Sequence, residues 1–226
     1  MIICNSIVRN YCKLYTSVTI LCKKIYSESI NFMYRDLQNL TIICKLDHIQ
    51  MVEYIKHNEK DYDLIKIVGS NQLNYEAFQG TFDEQFYKIF NVDFKKKYTD
   101  FKVVRDKDLE LQIYNKFVTD KDYVFLHEDV SRNISINKNK INPNYNIIQP
   151  NENICNNIFS YLSIIENAKE VHCVDSCFLS LIDILNLNKN LYFHKYSRLE
   201  IYKTDRFHTS FAIPHIKNSW HVFEYN

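Results

Sequence analysis

Val171-His-Cys-Val-Asp-Ser-Cys-Phe-Leu-Ser-Leu-Ile-Asp-Ile-Leu185 decides the fold class. Val171-His-Cys-Val174 reads as a buried strand and Asp175-Ser176 as a turn. Phe178, Leu181, Ile182 and Leu185 then form the apolar stripe of a helix. The same alternation continues in both directions. Downstream, Leu191-Tyr-Phe193 is the next strand, ending in His194-Lys195. Upstream, Ile154, Ile158, Tyr161, Leu162 and Ile165 recur at helical spacing and predict an amphipathic helix. Before it, Tyr123-Val-Phe-Leu126 is a continuous apolar strand that runs into His127-Glu-Asp-Val-Ser-Arg132. Between them Asn133 to Asn153, with Pro143 and Pro150, reads as a polar loop with room for a short hairpin. Strand, loop, helix, strand, helix, strand is half of a doubly wound α/β fold.

The first half alternates too. A helical rhythm of Ile3, Ile7, Tyr11, Leu14 and Tyr15 precedes a strand at Val18-Thr-Ile-Leu-Cys22. A helix over Glu28 to Leu37, a strand at Leu40-Thr-Ile-Ile-Cys44, a helix over His48 to Lys56 and a strand at Leu64-Ile-Lys-Ile-Val68 follow. This order predicts parallel crossovers. The middle is helical around Phe82-Asp-Glu-Gln-Phe-Tyr87 and Leu109 to Phe117, and Lys95-Lys96-Lys97 between them reads as a solvated face. Thr119-Asp-Lys-Asp122 separates two apolar runs, which predicts halves of residues 1–118 and 119–226.

Composition narrows the classes. Of 226 residues 46% are hydrophobic and 24% charged, an ordinary globular balance. A formal net charge of +1 gives no basic excess for nucleic acid. The 17 Tyr and 15 Phe accompany abundant Ile, Asn and Lys, all with A/T-rich codons, so they do not by themselves define a stacking platform. Seven cysteines form no C-x-x-C pair, and several sit in apolar runs, which predicts reduced thiols and neither a disulfide framework nor a zinc site. No apolar run reaches the ~18 residues of a membrane span, and Met1-Ile-Ile-Cys-Asn5 lacks the pattern of a signal peptide. The expectation is a soluble cytoplasmic protein.

Ligands of open parallel sheets gather at the carboxyl ends of strands, and three polar clusters fall there. Asp175-Ser176 opens a helix, where unpaired N–H groups and the helix dipole can hold a phosphate; the same residues are common helix caps. His127, Asp129 and Arg132 follow a buried strand, and Arg132 is suited to bidentate phosphate binding or to a loop ion pair. Lys195 is either a further point charge for that pocket or a surface lysine. Asn5 and Arg9 share one helix face and matter for a ligand only if that face meets a cleft. The absence of G-x-S-x-G, Walker A and G-x-G-x-x-G disfavours hydrolase, kinase and dinucleotide chemistry.

Cys4-Asn-Ser-Ile-Val-Arg9, Asn31-Phe-Met-Tyr-Arg-Asp36, Tyr123-Val-Phe-Leu-His-Glu-Asp-Val-Ser-Arg132 and Ile165-Glu-Asn-Ala-Lys-Glu-Val-His-Cys-Val-Asp-Ser176 resemble a group of glycosyltransferase-like proteins of giant viruses and some bacteria. That group is distantly similar to heptosyltransferases and fucosyltransferases of the two-Rossmann, GT-B architecture. The resemblance implies a metal-independent transferase without a cofactor, in the host cytoplasm if viral. Its first half would take a glycan or other acceptor and its second half a nucleotide sugar. Arg132, Asp175 and Ser176 would hold donor ribose or diphosphate, and His127 and Asp129 would line the cleft as orienting or acid/base groups. Such proteins begin with a strand and a Gly-rich loop, whereas Met1 stands almost at the start of the first helix here. The resemblance therefore implies an incomplete N-terminal half, and keeps open a non-catalytic binding or interaction module.

Overall fold

The computed structural model describes residues 2–67, 80–119, 122–130, 133–196 and 214–225. The described residues form two compact units, one of residues 3–67 and 85–104 and the other of residues 80–84 and 105–225.

The first unit holds α1 (Asn5–Leu14), β1 (Val18–Lys23), α2 (Ser27–Tyr34), β2 (Leu40–Lys45) and α3 (His48–Asn58). β1 and β2 pair in parallel, from Val18 opposite Leu40 to Lys23 opposite Lys45. Asp47 caps α3, its carboxylate accepting from the Gln50 N–H at 2.9 Å. The strand expected at Leu64–Val68 does not form over its described part: residues 64–67 are irregular, and Leu64, Ile65 and Ile67 are exposed. A short apolar run marks residues that could be buried but does not supply the neighbour a strand must pair with. Val68 and Gly69 lie outside the described residues.

Arg9 ties this unit together. Its guanidinium donates to the Asp36 carboxylate at 2.8 and 3.1 Å, to Met33 O at 3.0 Å and to Lys102 O at 3.1 Å. Asn5 adds a two-way pair with the Lys102 backbone, 3.0 Å each way. Hydrogen bonds from Arg9, helped by Lys102, hold the Asp36 carboxyl down at about 2. After α4 (Phe82–Ile89), the short helix α5 (Lys96–Thr99) corrects the reading of the lysine run. Lys95 is exposed, but Lys97 is buried at 1%, its ammonium 4.8 Å from the Tyr98 ring centre and 5.6 Å from that of Phe94. Aromatic faces replace part of the hydration such a charge loses.

The second unit contains α6 (Lys107–Phe117), β3 (Tyr123–His127), β4 (Asn146–Ile148), α7 (Leu162–Asn167), β5 (Glu170–Val174), α8 (Cys177–Leu185), β6 (Asn190–Tyr196) and β7 (His221–Tyr225). Its five strands are all parallel, in the order β4-β3-β5-β6-β7. One face buries Tyr123, Phe125, Val171, Cys173, Leu191 and Phe193 against Ile113 of α6, Ile164 and Ile165 of α7, and Phe178, Leu179 and Ile182 of α8. This packing explains why the units divide between Val104 and Arg105, so that α6 belongs with the second sheet and not the first half. Arg105 bridges Glu110 of α6 and Glu166 of α7, fastening the two helices.

The opposite face is covered beside β3 by the segment read as an open polar loop. Ile136 and Ile141 pack there on Val124, Leu126 and Val174. In place of a hairpin, that segment gives the edge strand β4, parallel to β3, and a single antiparallel bridge between Asp129 and Ile134. The helix expected from Ile154 starts later, with a 3-10 turn at Ile158–Tyr161 leading into α7. The Asn157 side chain accepts from the Phe159 N–H at 3.1 Å, which places the helix start after Asn157. With only two glycines in the chain, Asn91, Asn133 and Asn186 take the positive φ angles near 50°; Asn186 does so just past the end of α8.

Further along that second face a hydrogen-bonded row crosses three strands. Tyr225 OH lies 2.9 Å from His194 Nδ1, His194 Nε2 lies 3.0 Å from His172 Nδ1, and His172 Nε2 lies 3.1 Å from the Glu170 carboxylate. A carboxylate only accepts, so His172 donates through Nε2; His194 then donates through Nε2 to His172, and Tyr225 donates to His194. One proton per bond satisfies the row with both imidazoles neutral. Both rings are fully buried, and burial lowers both pKa values, that of His194 to about 4. At the C-terminal side, the Asp183 carboxylate accepts from the N–H groups of Lys217 and Asn218 and from Trp220 Nε1, at 2.9–3.1 Å, and so anchors the approach to β7.

Two outcomes follow from these networks. Between the ordinary histidine value of 6.5 and about 4, unfolded chain takes up a proton that the folded His194 imidazole refuses, and burial of His172 acts in the same direction. The unfolded state then binds more protons, and stability falls as pH falls, by up to about 1.4 kcal/mol per pH unit per imidazole. Urea unfolding across this window checks it: His194→Phe flattens the slope, and an unchanged slope contradicts neutral burial. Arg9→Met removes the guanidinium donors from the Asp36 carboxylate, Met33 O and Lys102 O, leaving Asp36 with the Lys102 ammonium and Lys102 O with the Asn5 amide, and costs about 3 kcal/mol in the same assay. A loss under about 0.5 kcal/mol contradicts the bracing role.

Candidate functional site

Strand order determines where this sheet can present chemistry. From β3 the chain goes to β4 on one side, then returns across to β5 on the other, and continues outward through β6 and β7. The direction of winding therefore reverses between β3 and β5. Open α/β sheets hold ligands outside the carboxyl ends of the two strands that flank such a reversal. Counted within the sheet, the order is 2-1-3-4-5, one of the common doubly wound arrangements.

At that end β3 and β5 finish nearly level, with His127 opposite Cys173. His127 is half-buried, and its ring lies on Phe178 of α8, with centres 4.6 Å apart. Asp175 and Ser176 follow Val174 directly and are also half-buried. Ser176 adopts an extended backbone and caps α8, its hydroxyl accepting from the Leu179 N–H at 3.4 Å. Capping takes one of the first-turn donors, and the N–H groups of Cys177 and Phe178 lie beside the Cys177 sulfur, at the end of the helix where its dipole is positive. Cap and ligand cradle are compatible roles for this turn.

After β3 the chain turns tightly. Asp129 and Ile134 exchange backbone hydrogen bonds at 2.9 and 3.1 Å, and the Asn133 N–H donates to Val130 O at 3.0 Å. The Glu128 carboxylate faces away from this bridge, accepting from the Ile136 N–H and from Gln149 Nε2, both at 2.7 Å, and so pins the covering segment to the end of β3. Ser131 and Arg132 lie outside the described residues. The structure thus brings His127, Asp129, Asp175 and Ser176 to neighbouring strand ends.

The other sequence-derived residues lie elsewhere. β6 continues to Tyr196, so His194 is inside the strand and not at its tip. Lys195 is in β6, and its ammonium pairs with Glu224 of β7 at 2.7 Å, on the side away from β3. Asn5 and Arg9 are buried in the first unit, in the bracing network already described. Sequence reasoning missed Phe178 as the support under His127, because an aromatic at that spacing reads as core alone. It also missed Glu128 as the clasp, whose partners lie eight and 21 residues away.

The described residues contain a hollow of about 300 Å³ at the opposite end of the sheet, lined by Phe117, Thr119, Tyr123, Asn146, Ile147 and Ile148. Tyr123 is its one titratable side chain, and that hydroxyl donates to Ile164 O at 2.8 Å. His127, Asp129 and Asp175, which can move protons or orient hydroxyls, are at the β3/β5 end and not beside this hollow. Among the described residues no three His, Cys, Asp or Glu side chains are placed to hold a metal ion, and no helix is long and apolar enough to cross a membrane. No family model, curated protein or solved structure matches this chain, so the chemistry of the β3/β5 end is read from its own residues.

Proposed function

We propose that the β3/β5 end binds a nucleotide-diphosphate sugar, and that the chain is a glycosyltransferase-like protein of two Rossmann-like halves that transfers the sugar to an acceptor hydroxyl. The observation carrying this reading is the reversal of winding beside α8, which sets His127 and Asp175-Ser176 on adjacent strand ends next to a helix N-terminus. In the proposed complex the first-turn N–H groups of α8 and the Arg132 guanidinium meet the diphosphate. Asp175 accepts from ribose hydroxyls. The acceptor oxygen loses its proton to His127 or Asp129, attacks the anomeric carbon, and the nucleoside diphosphate departs with its charge stabilised by those donors.

A non-catalytic binding module is the second reading. It is favoured by the burial of Asn5 and Arg9, the ligand-binding candidates of the first half, in the hydrogen-bonded network with Asp36 and Lys102.

Ser176→Asp separates a ligand role from a structural one. Aspartate caps a helix as well as serine does, so thermal stability stays close to that of the parent. Its added charge opposes a phosphate, and calorimetry against a panel of nucleotide sugars is expected to show affinity falling at least about tenfold, or about 1.4 kcal/mol. Equal affinity in parent and variant, or no binding by the parent, overturns the site. Release of nucleoside diphosphate that is lost in His127→Ala supports transfer; binding without release supports the module.

A further inference from the structure

We infer that Cys22 and Cys44 are a redox-modification site, closing to a reversible disulfide that links the two strands of the first unit. This goes beyond the nucleotide-sugar reading and does not depend on it. The cysteines are register partners in the parallel pair β1 and β2, and their Sγ atoms are 3.5 Å apart as thiols. Neighbouring strands lie about 4.8 Å apart, within the Cα separations that a disulfide bridges, roughly 4.4–6.8 Å. No rearrangement of the fold is required; the sulfur atoms must approach by rotation of the side chains and a small movement of the strands.

The two thiols are unequal. Cys44 is exposed and Cys22 is buried. Burial, with the hydrogen bond to Cys44 adding to it, pushes the Cys22 thiol up. An incoming oxidant therefore meets Cys44 first, and Cys22 acts as the resolving group beside it. With a small-molecule disulfide such as glutathione disulfide as oxidant, the Cys44 thiolate attacks one sulfur and expels one glutathione thiolate. Cys22 then gives up its proton, attacks Sγ of Cys44 and expels the second. Two protein thiols are oxidised, one small disulfide is reduced to two thiols, and the two protons pass to the departing glutathiones.

The position of the pair gives the bond a consequence. Both cysteines stand one residue before their strands end, at Lys23 and Lys45. Closure joins the turns that leave β1 and β2 at the carboxyl end of this small sheet. Cys44 is exposed, so an external thiol can attack the bond, and exposed disulfides are the readily reduced ones. Reversibility follows.

The test uses the full chain, equilibrated with glutathione and glutathione disulfide, quenched in acid and alkylated. Non-reducing tryptic mapping is expected to find the peptides of residues 14–23 and 36–45 joined, with the intact mass lower by two hydrogens. Cys22→Ser should stop at the glutathione adduct on Cys44, and in Cys44→Ser the buried Cys22 should stay alkylatable only after unfolding. Parent protein that stops at the Cys44 adduct, or keeps both thiols alkylatable under oxidising conditions, overturns the proposal. Because serine is nearly the same size as cysteine, circular dichroism of the variants distinguishes a chemical effect from a failure to fold.

Discussion

The burial of β3 and β5 on both faces is the constraint from which the rest of the second unit follows. Val124, Phe125 and Leu126, and Val171 and Cys173 beside them, have no exposed surface. A parallel sheet of this kind cannot leave one face to water, so its connections must cover both sides. Helices α6, α7 and α8 supply one cover, and the asparagine-rich segment with Ile136 and Ile141 supplies part of the other. Each fully buried side chain among these contributes about 1.5–3 kcal/mol, so losing either cover would expose more apolar surface than the polar networks could offset.

The candidate site is a by-product of that covering. Parallel strands all end on the same side, and the chain must leave β3 and β5 in opposite directions to reach its covers. In open α/β sheets such a departure is where a ligand crevice forms, and here the first turn of α8 stands at that end with N–H groups that no helix can satisfy internally. Glu128 and Phe178 then serve as supports. The first clasps the covering segment, and the second holds the His127 ring on its far side from solvent.

Much of this was legible in the residues. Strands β1, β2, β3 and β5 fall within a residue or two of the apolar runs that predict them; for β3 and β5 this is because a doubly buried strand has to be apolar almost throughout. The Asp175-Ser176 turn was equally clear, since serine before an apolar stripe marks a helix start. Three features were hidden for physical reasons. β7 alternates Val222 and Glu224 with aromatic residues, as an edge strand does, and carries no continuous run. Ile136 and Ile141 are isolated apolar residues in a polar stretch, so their burial depends on a tertiary face that no local period announces. His194 looks like a polar group at a strand end and His172 like a lone polar residue within one, but the hydrogen-bonded row that makes their burial tolerable is assembled from three separate strands. Leu64 to Ile67 illustrates the reverse error, an apolar run without a strand beside it to pair with.

We propose that the β3/β5 end, and not another surface, receives an anionic nucleotide. Titrating isotope-labelled protein with uridine diphosphate and with guanosine diphosphate, and following each backbone amide by NMR, tests it directly. The largest shifts are expected at Ser176, Cys177 and Phe178, with His127 to Asp129 following, while the amides lining the hollow near Tyr123 stay in place. Shifts centred on that hollow, or no saturable shift with either nucleotide, would contradict it.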